Sequence, residues 1–447
     1  MRTKSFFISR RSFLKRCSLA GAAAGLPAWF LNRDPAQAAP ARLLRPNDRP
    51  AIALIACGGR GQTIASDAKR FGDIVAVCDV DAGRAAAAAR EFAEGAKTPA
   101  IYEDARRVME RGDIQVILNA TPDHWHTLVN LAAAKAGKDV YCEKPLTLTI
   151  DEGRRVVRAV RRGKIVFQTG SQQRSNAPFR LACELVRNQR LGQLKEITVW
   201  VPAGPRGGPF FSKPTPAGLN WDFWLGQAPK VDYVPERCHG AFRYWYDYSG
   251  GTMTDWGAHH NDIALWALGL PGPVTIEGAP STQPIPGGFT AFSDYEVTLI
   301  YSNGVRQTVK TTRDDALSGA VVNKDGQRNG IKFQGTRGWI WVNRDEIKAS
   351  DEALLSTPLP AGATRLYASD DHMGNFFDCV RSRKQPIADV ETGHRAVSVC
   401  HLGVMALRLG RKLEWNPARE KFTGEGAKDA DKWLAREMRK PFNYHFV

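Results

Sequence analysis

No Cys-x-x-Cys pair occurs anywhere in the 447 residues, and the eight cysteines stand far apart. Seven of them follow residue 38 (57, 78, 142, 183, 238, 379 and 400), several inside apolar runs. An odd, dispersed set argues for buried thiols over a disulfide framework or a metal site. Long apolar runs are missing too. The weakly apolar stretch Cys17 to Leu31 is short for a membrane span and is broken by Gly21, Gly25 and Pro27. No segment repeats at a solenoid period. Acids are scarce beside bases, 46 against 62, for a formal net charge of +16. Residues 1–38 hold seven of those bases and one acid, so the remainder carries about +10. Its Lys and Arg are scattered through helical text such as Arg154-Arg155 and Arg161-Arg162, with acids among them. That describes a solvated surface and no stripe for nucleic acid.

What is present begins with an address. Ser9-Arg10-Arg11-Ser12-Phe13-Leu14-Lys15 matches the twin-arginine export pattern, and Ala36-Gln37-Ala38 is a small-x-small cleavage site before Ala39. Residues 1–38 are therefore expected to be a signal peptide and 39–49 a linker. The mature protein is expected in the periplasm or otherwise exported, with no stable membrane span. Cys17 does not sit in a lipid-attachment context.

From Pro50 the text alternates short apolar runs (Ala51–Ala56, Ile74–Cys78, Val116–Asn119, Val140–Cys142, Ile165–Gln168) with helical segments. This predicts a doubly wound parallel sheet over residues 50–175. After about Asn176 the pattern changes. Tyr295–Tyr301, Val305–Thr311, Ile331–Gln334 and Trp339–Val342 read as strands without intervening helices, so a second α/β domain with a largely antiparallel open sheet is expected over 176–415. Helices are expected at His372–Arg383 and Gly393–Leu409, and residues 416–447 read as a C-terminal extension.

Three motifs carry chemistry. A dinucleotide pyrophosphate needs backbone N–H groups at a helix N-terminus, without side chains in its way. Ala56-Cys57-Gly58-Gly59-Arg60-Gly61 provides such a turn between a strand and a helix, with Ala56 in place of the first glycine. Asp79 ends the next strand, where an acid binds the adenosine ribose and favours NAD. Arg60 and Arg84 keep NADP open as the alternative. Glu143-Lys144-Pro145 directly follows a strand, so Lys144 can meet a substrate hydroxyl and stabilise alkoxide charge. In Asp255-Trp256-Gly257-Ala258-His259-His260-Asn261-Asp262 a helix would put Asp255, His259 and Asp262 on one face. A carboxylate beside a histidine suits a proton acceptor for alcohol oxidation. The flanks fit no zinc signature, and no metal is expected.

These motifs, with Ala120-Thr121-Pro122-Asp123-His124-Trp125-His126 between them, agree in order and spacing over most of residues 50–410. The chain resembles the Gfo/Idh/MocA family, the glucose–fructose oxidoreductase and inositol dehydrogenase group. The resemblance implies a Rossmann domain followed by an α/β domain that often builds homo-oligomers. It implies Lys144 on the reacting hydroxyl, His259 as general acid/base and Asp255 orienting them. Cofactor contacts would come from Gly58, Gly59, Arg60, Gly61, Asp79, Thr121, Pro122, His126 and Glu143. Arg174 and Asp262 would line the substrate pocket. Tyr244 could stack on a sugar ring or belong to the core.

The expected reaction is hydride transfer at a secondary hydroxyl of a sugar or polyol. Outside the cytoplasm little free NAD can exchange, so a tightly bound, internally recycled cofactor is expected. The alternative is redox-neutral glycoside cleavage by transient oxidation, elimination, hydration and re-reduction. Retention of Lys144 argues mildly against it. A non-catalytic carbohydrate-binding protein is a further alternative, opposed by the retention of Lys144, Asp255 and His259.

Overall fold

The computed structural model describes residues 48–312 and 329–446. The twin-arginine motif, the cleavage site and most of the linker lie outside the described residues. The first half alternates β1 (Ala51–Ile55), α1 (Gly59–Lys69), β2 (Asp73–Cys78), α2 (Ala82–Glu91), β3 (Ala100–Tyr102), α3 (Ala105–Met109), β4 (Val116–Asn119), α4 (Asp123–Lys135), β5 (Asp139–Cys142), α5 (Ile150–Gly163) and β6 (Phe167–Thr169). The strands pair in parallel in the order β3-β2-β1-β4-β5-β6. The central strands are buried on both faces, which is why they read as unbroken apolar runs. The order reverses between β1 and β4, and the crevice at that switch point is where ligands bind.

The second half contains α6 (Ala177–Arg187), β7 (Leu194–Pro202), α7 (Trp221–Leu225), α8 (Thr252–Leu268), β8 (Thr275–Pro280), β9 (Tyr295–Ile300), β10 (Arg306–Thr312), β11 (Gly330–Gly335), β12 (Gly338–Val342), β13 (Ile347–Ala349), α9 (Ala353–Ser356), α10 (His372–Ser382), α11 (Val390–Leu409), β14 (Leu413–Asn416), β15 (Lys421–Thr423) and α12 (Ala427–Asp431). Among the described residues its nine strands run β13-β12-β11-β7-β10-β9-β8-β14-β15, with β7 and β10 parallel and the other pairs antiparallel. Helices α6, α8 and α11 cover one face, burying Ile197, Val199, Val297 and Phe333 against Phe179, Ile263 and Cys400. Each such aliphatic side chain contributes roughly 1.5–3 kcal/mol. All seven described cysteines are buried free thiols.

The expected domain boundaries need correction at the C-terminal end. Met373, Phe376 and Phe377 of α10 pack with Ile52, Leu54 and Val77, so this helix covers one face of the parallel sheet and belongs to the first core. Residues 416–447 are no appendage either. β15 extends the large sheet, and Phe442 packs edge-on against Trp125 of α4. The chain thus crosses back to finish the domain it began.

Candidate active site

Two adjoining cavities lie at the switch point. The first, of about 220 Å³, is lined by the glycine turn (Gly58, Gly59, Arg60, Gly61), by Asp79 and Arg84, and by Thr121 and Pro122. Gly58 caps α1 without a side-chain hydrogen bond, leaving the first-turn N–H groups to a ligand. A Cβ on Gly61 would meet the Ala56 carbonyl oxygen at 2.1 Å, so only glycine lets the helix come this close to the strand. Ala56 itself sits at φ 71°, a left-handed conformation that costs about 1–2 kcal/mol with a Cβ present. That cost explains the usual glycine, and the turn forms regardless. Asp79 accepts the N–H groups of Cys57 at 2.7 Å and Asp81 at 2.9 Å. Burial raises its carboxyl above the ordinary range, opposed by those two donors. The uncapped turn, the close helix approach and the carboxylate at the end of β2 together fit a dinucleotide.

The second cavity, of about 480 Å³, shares Arg60, Ala120, Thr121, Phe242 and Arg243 with the first. It brings together Lys144, Asp255 and His259. Helix α8 starts after Gly251, at φ 68°, and closes on Gly269 in the left-handed conformation. Asp255 lies in its first turn and His259 one turn on. The Lys144 Nζ donates to the Asp255 carboxylate and, at 3.1 Å, to its carbonyl oxygen. Arg243 Nε lies 3.6 Å from the same carboxylate. Despite its burial, Asp255 is held below the usual carboxylate range by Lys144 and Arg243.

The expected carboxylate–histidine contact is not made. Asp255 is turned to the lysine, and the His259 ring packs edge-on against Trp256 at 6.2 Å. Burial, then the charges of Lys144 and Arg344, push His259 well below its ordinary value. The imidazole is therefore neutral at pH 7 and able to accept a proton.

Glu143 and His126, expected at the cofactor, line the second cavity, which adjoins the first. The Glu143 carboxylate accepts from Arg60 Nε at 2.8 Å and Gln172 Nε2 at 3.1 Å, tying the glycine turn to the strand end. His126 Nδ1 donates to the Pro145 carbonyl at 2.7 Å. His124 Nε2 donates to Trp224 O at 3.0 Å, and burial pushes its pKa down to about 3. These two histidines brace helix α4, and no metal-ligating cluster occurs among the described residues.

Arg174 and Asp262 are placed away from the cavity wall. Arg174 and Asp262 form a two-pronged ion pair, with contacts of 2.7 and 2.8 Å, at 8% and 1% exposure. Each satisfies the other, and neither lines the cavity. Tyr244 packs edge-on against Phe289 and is also outside the lining. The cavity wall holds Asp123, Gln172, Arg243, Trp256 and Arg344, which the motif reading did not single out. For Asp123 the signal was available, since an acid directly after Thr121-Pro122 opens the helix that follows β4.

Residues 51–171 match the model of the oxidoreductase family's NAD-binding Rossmann fold, and residues 208–444 that of its C-terminal alpha/beta domain. A myo-inositol 2-dehydrogenase of Thermotoga maritima is 28% identical over 364 residues, 80% of this chain and 93% of that enzyme. An inositol 2-dehydrogenase of Salmonella typhimurium is 34% identical over 122 residues, which span 27% of this chain and 35% of that enzyme. The WlbA dehydrogenase of Bordetella pertussis, solved with NADH and UDP-GlcNAcA, shares the fold at a TM-score of 0.61 and 17% identity. That likeness covers 83% of this chain and 99% of the other. By both of its halves, the chain belongs to the Gfo/Idh/MocA oxidoreductase family.

Proposed function

We propose that this protein oxidises a secondary hydroxyl of a sugar or polyol, using a nicotinamide cofactor that it keeps bound and recycles. The observation that carries the reading is the meeting of Lys144, Asp255 and a neutral His259 in a cavity continuous with the glycine-turn cleft. The Lys144 ammonium, aimed by Asp255, donates to the hydroxyl oxygen and offsets the negative charge that develops there. His259 takes the hydroxyl proton. NAD, when bound, supplies the hydride acceptor. The Thermotoga relative is named for oxidation of myo-inositol, a substrate of this class.

Retention of the cofactor draws support from the segment before α8. Ala82 N donates to Gly218 O and Asn220 N to Val80 O, each at 2.9 Å. His239, Gly240, Phe242 and Arg243 then form one wall of the cofactor cleft. A chain segment from the second half thus lies across the Rossmann crevice. A retained cofactor also suits export by the twin-arginine route, which carries folded proteins.

Purified protein should show an absorbance band near 340 nm that bleaches with one sugar and returns with another. Release of aglycone from a nitrophenyl glycoside, with solvent deuterium entering the sugar, would instead establish the redox-neutral reaction. Replacing Arg10 and Arg11 by lysine should hold the protein in the cytoplasm. An unchanged exported fraction would refute the localisation.

A further inference from the structure

Asp123 is the first residue of α4, 5% exposed, and lies in the wall of the cavity that holds Lys144 and His259. One of its carboxylate oxygens, Oδ2, accepts from the Ser249 hydroxyl. Ser249 is itself buried and lies 3.4 Å from the Thr254 hydroxyl. The other oxygen, Oδ1, has no hydrogen-bond donor among the described residues, although the residue lines a polar cavity. A carboxylate anchored on one oxygen and open on the other is a hydrogen-bond acceptor with a fixed direction.

We propose that Asp123 Oδ1 accepts a hydrogen bond from a second substrate hydroxyl, next to the one being oxidised, so that the site selects vicinal diols. This rests on the hydride-transfer reading above. Lys144 binds the reacting oxygen from the end of β5, and Asp123 approaches the same cavity from the end of β4, the neighbouring strand. Two polar groups on adjacent strand ends suit two adjacent hydroxyls on a ring. A hydroxyl donates to a carboxylate and cannot donate to Lys144, which has no acceptor. The two positions are therefore chemically distinct, and a substrate is held in one orientation.

The charged groups facing Asp123 are Arg243 from the segment before α8, Lys144 after β5 and Asp255 on α8. Burial outweighs the two cations and Ser249, and the carboxyl is raised to about 7. The ionised carboxylate is the stronger acceptor and the protonated acid a weaker one, so substrate binding weakens as the pH falls through that value.

The test uses the full exported chain with its bound cofactor. Reduction of the nicotinamide is followed with myo-inositol, hexoses and uronic acids, and with the 2-deoxy and 3-deoxy forms of the best hexose. For Asp123→Asn, kcat/KM on the parent sugar should fall about tenfold or more, mainly through KM. The deoxy sugar lacking the contacted hydroxyl should lose as much with the wild type and nothing further with Asp123→Asn. The wild-type fall in kcat/KM below about pH 7 should vanish in the variant. Fluorescence of bound NADH, unchanged in Asp123→Asn, shows that the fold and cofactor cleft are intact. If the variant keeps the wild-type preference for parent over deoxy sugars, the inference is wrong while the hydride-transfer reading stands. If the wild type reduces its nicotinamide with no polyol at all, that reading fails and the inference with it.

Discussion

His259→Ala should lower kcat by about 10²–10⁴, the contribution of a positioned acid–base group, while leaving the bound nicotinamide in place. Lys144→Met should cost roughly 10²–10³ by removing the donor on the developing alkoxide. The two losses should not add, because both residues serve one proton and one oxygen. His259 is held neutral by burial and by the cations Lys144 and Arg344. Its depressed pKa means the active, neutral form persists as pH falls through the ordinary histidine range. Its own acid limb therefore lies well below that range. Rapid mixing of the oxidised holoenzyme with substrate would read the hydride step directly. A His259→Ala enzyme with wild-type kcat would remove His259 from the mechanism.

Arg174→Met should destabilise the protein by about 3–5 kcal/mol, because it strands the Asp262 carboxylate, 1% exposed, without its cation. The stacking of the Arg174 guanidinium on Trp266, 4.8 Å from the ring centroid, is lost as well. Replacing both partners, Arg174→Met with Asp262→Leu, should recover most of the loss, since no buried charge is then left alone. Urea unfolding of the three proteins gives the comparison. The KM for substrate should be unchanged in the double variant. A raised KM with undiminished stability in Arg174→Met would return this arginine to the substrate pocket, where the family resemblance placed it.

The contrast between these residues shows what the sequence carries. Lys144 and Asp79 were legible because each stands at the end of an apolar run that can only be a buried parallel strand, and strand ends face the crevice. His259 was legible from helical spacing within one segment. The same spacing placed Asp255 beside His259, yet its carboxylate is drawn to Lys144, 111 residues away. Helical periodicity states which residues share a face and not which partner from elsewhere competes for them. Arg174 and Asp262 failed for that reason too, their pairing being a tertiary event across 88 residues. Helix α10 was foreseen as a helix, but its apolar face does not name the sheet it covers. The run Phe376-Phe377 serves the first core as well as it could have served the second.

The return of the chain to its first domain has a consequence for synthesis. Phe71 leaves the ribosome early with β1 and β2, but Phe377, stacked on it at 5.1 Å, follows some three hundred residues later. At translation speeds of roughly 5–20 residues per second, that interval is on the order of fifteen seconds to a minute. During it the nascent nucleotide-binding sheet, covered on this face by α1 and α2 alone, keeps part of its apolar surface open to aggregation and to chaperones. A fragment ending near residue 175 should therefore be sticky and unstable, whatever its affinity for a dinucleotide. Helix α10 thus adds the last part of this core only after most of the chain has been made.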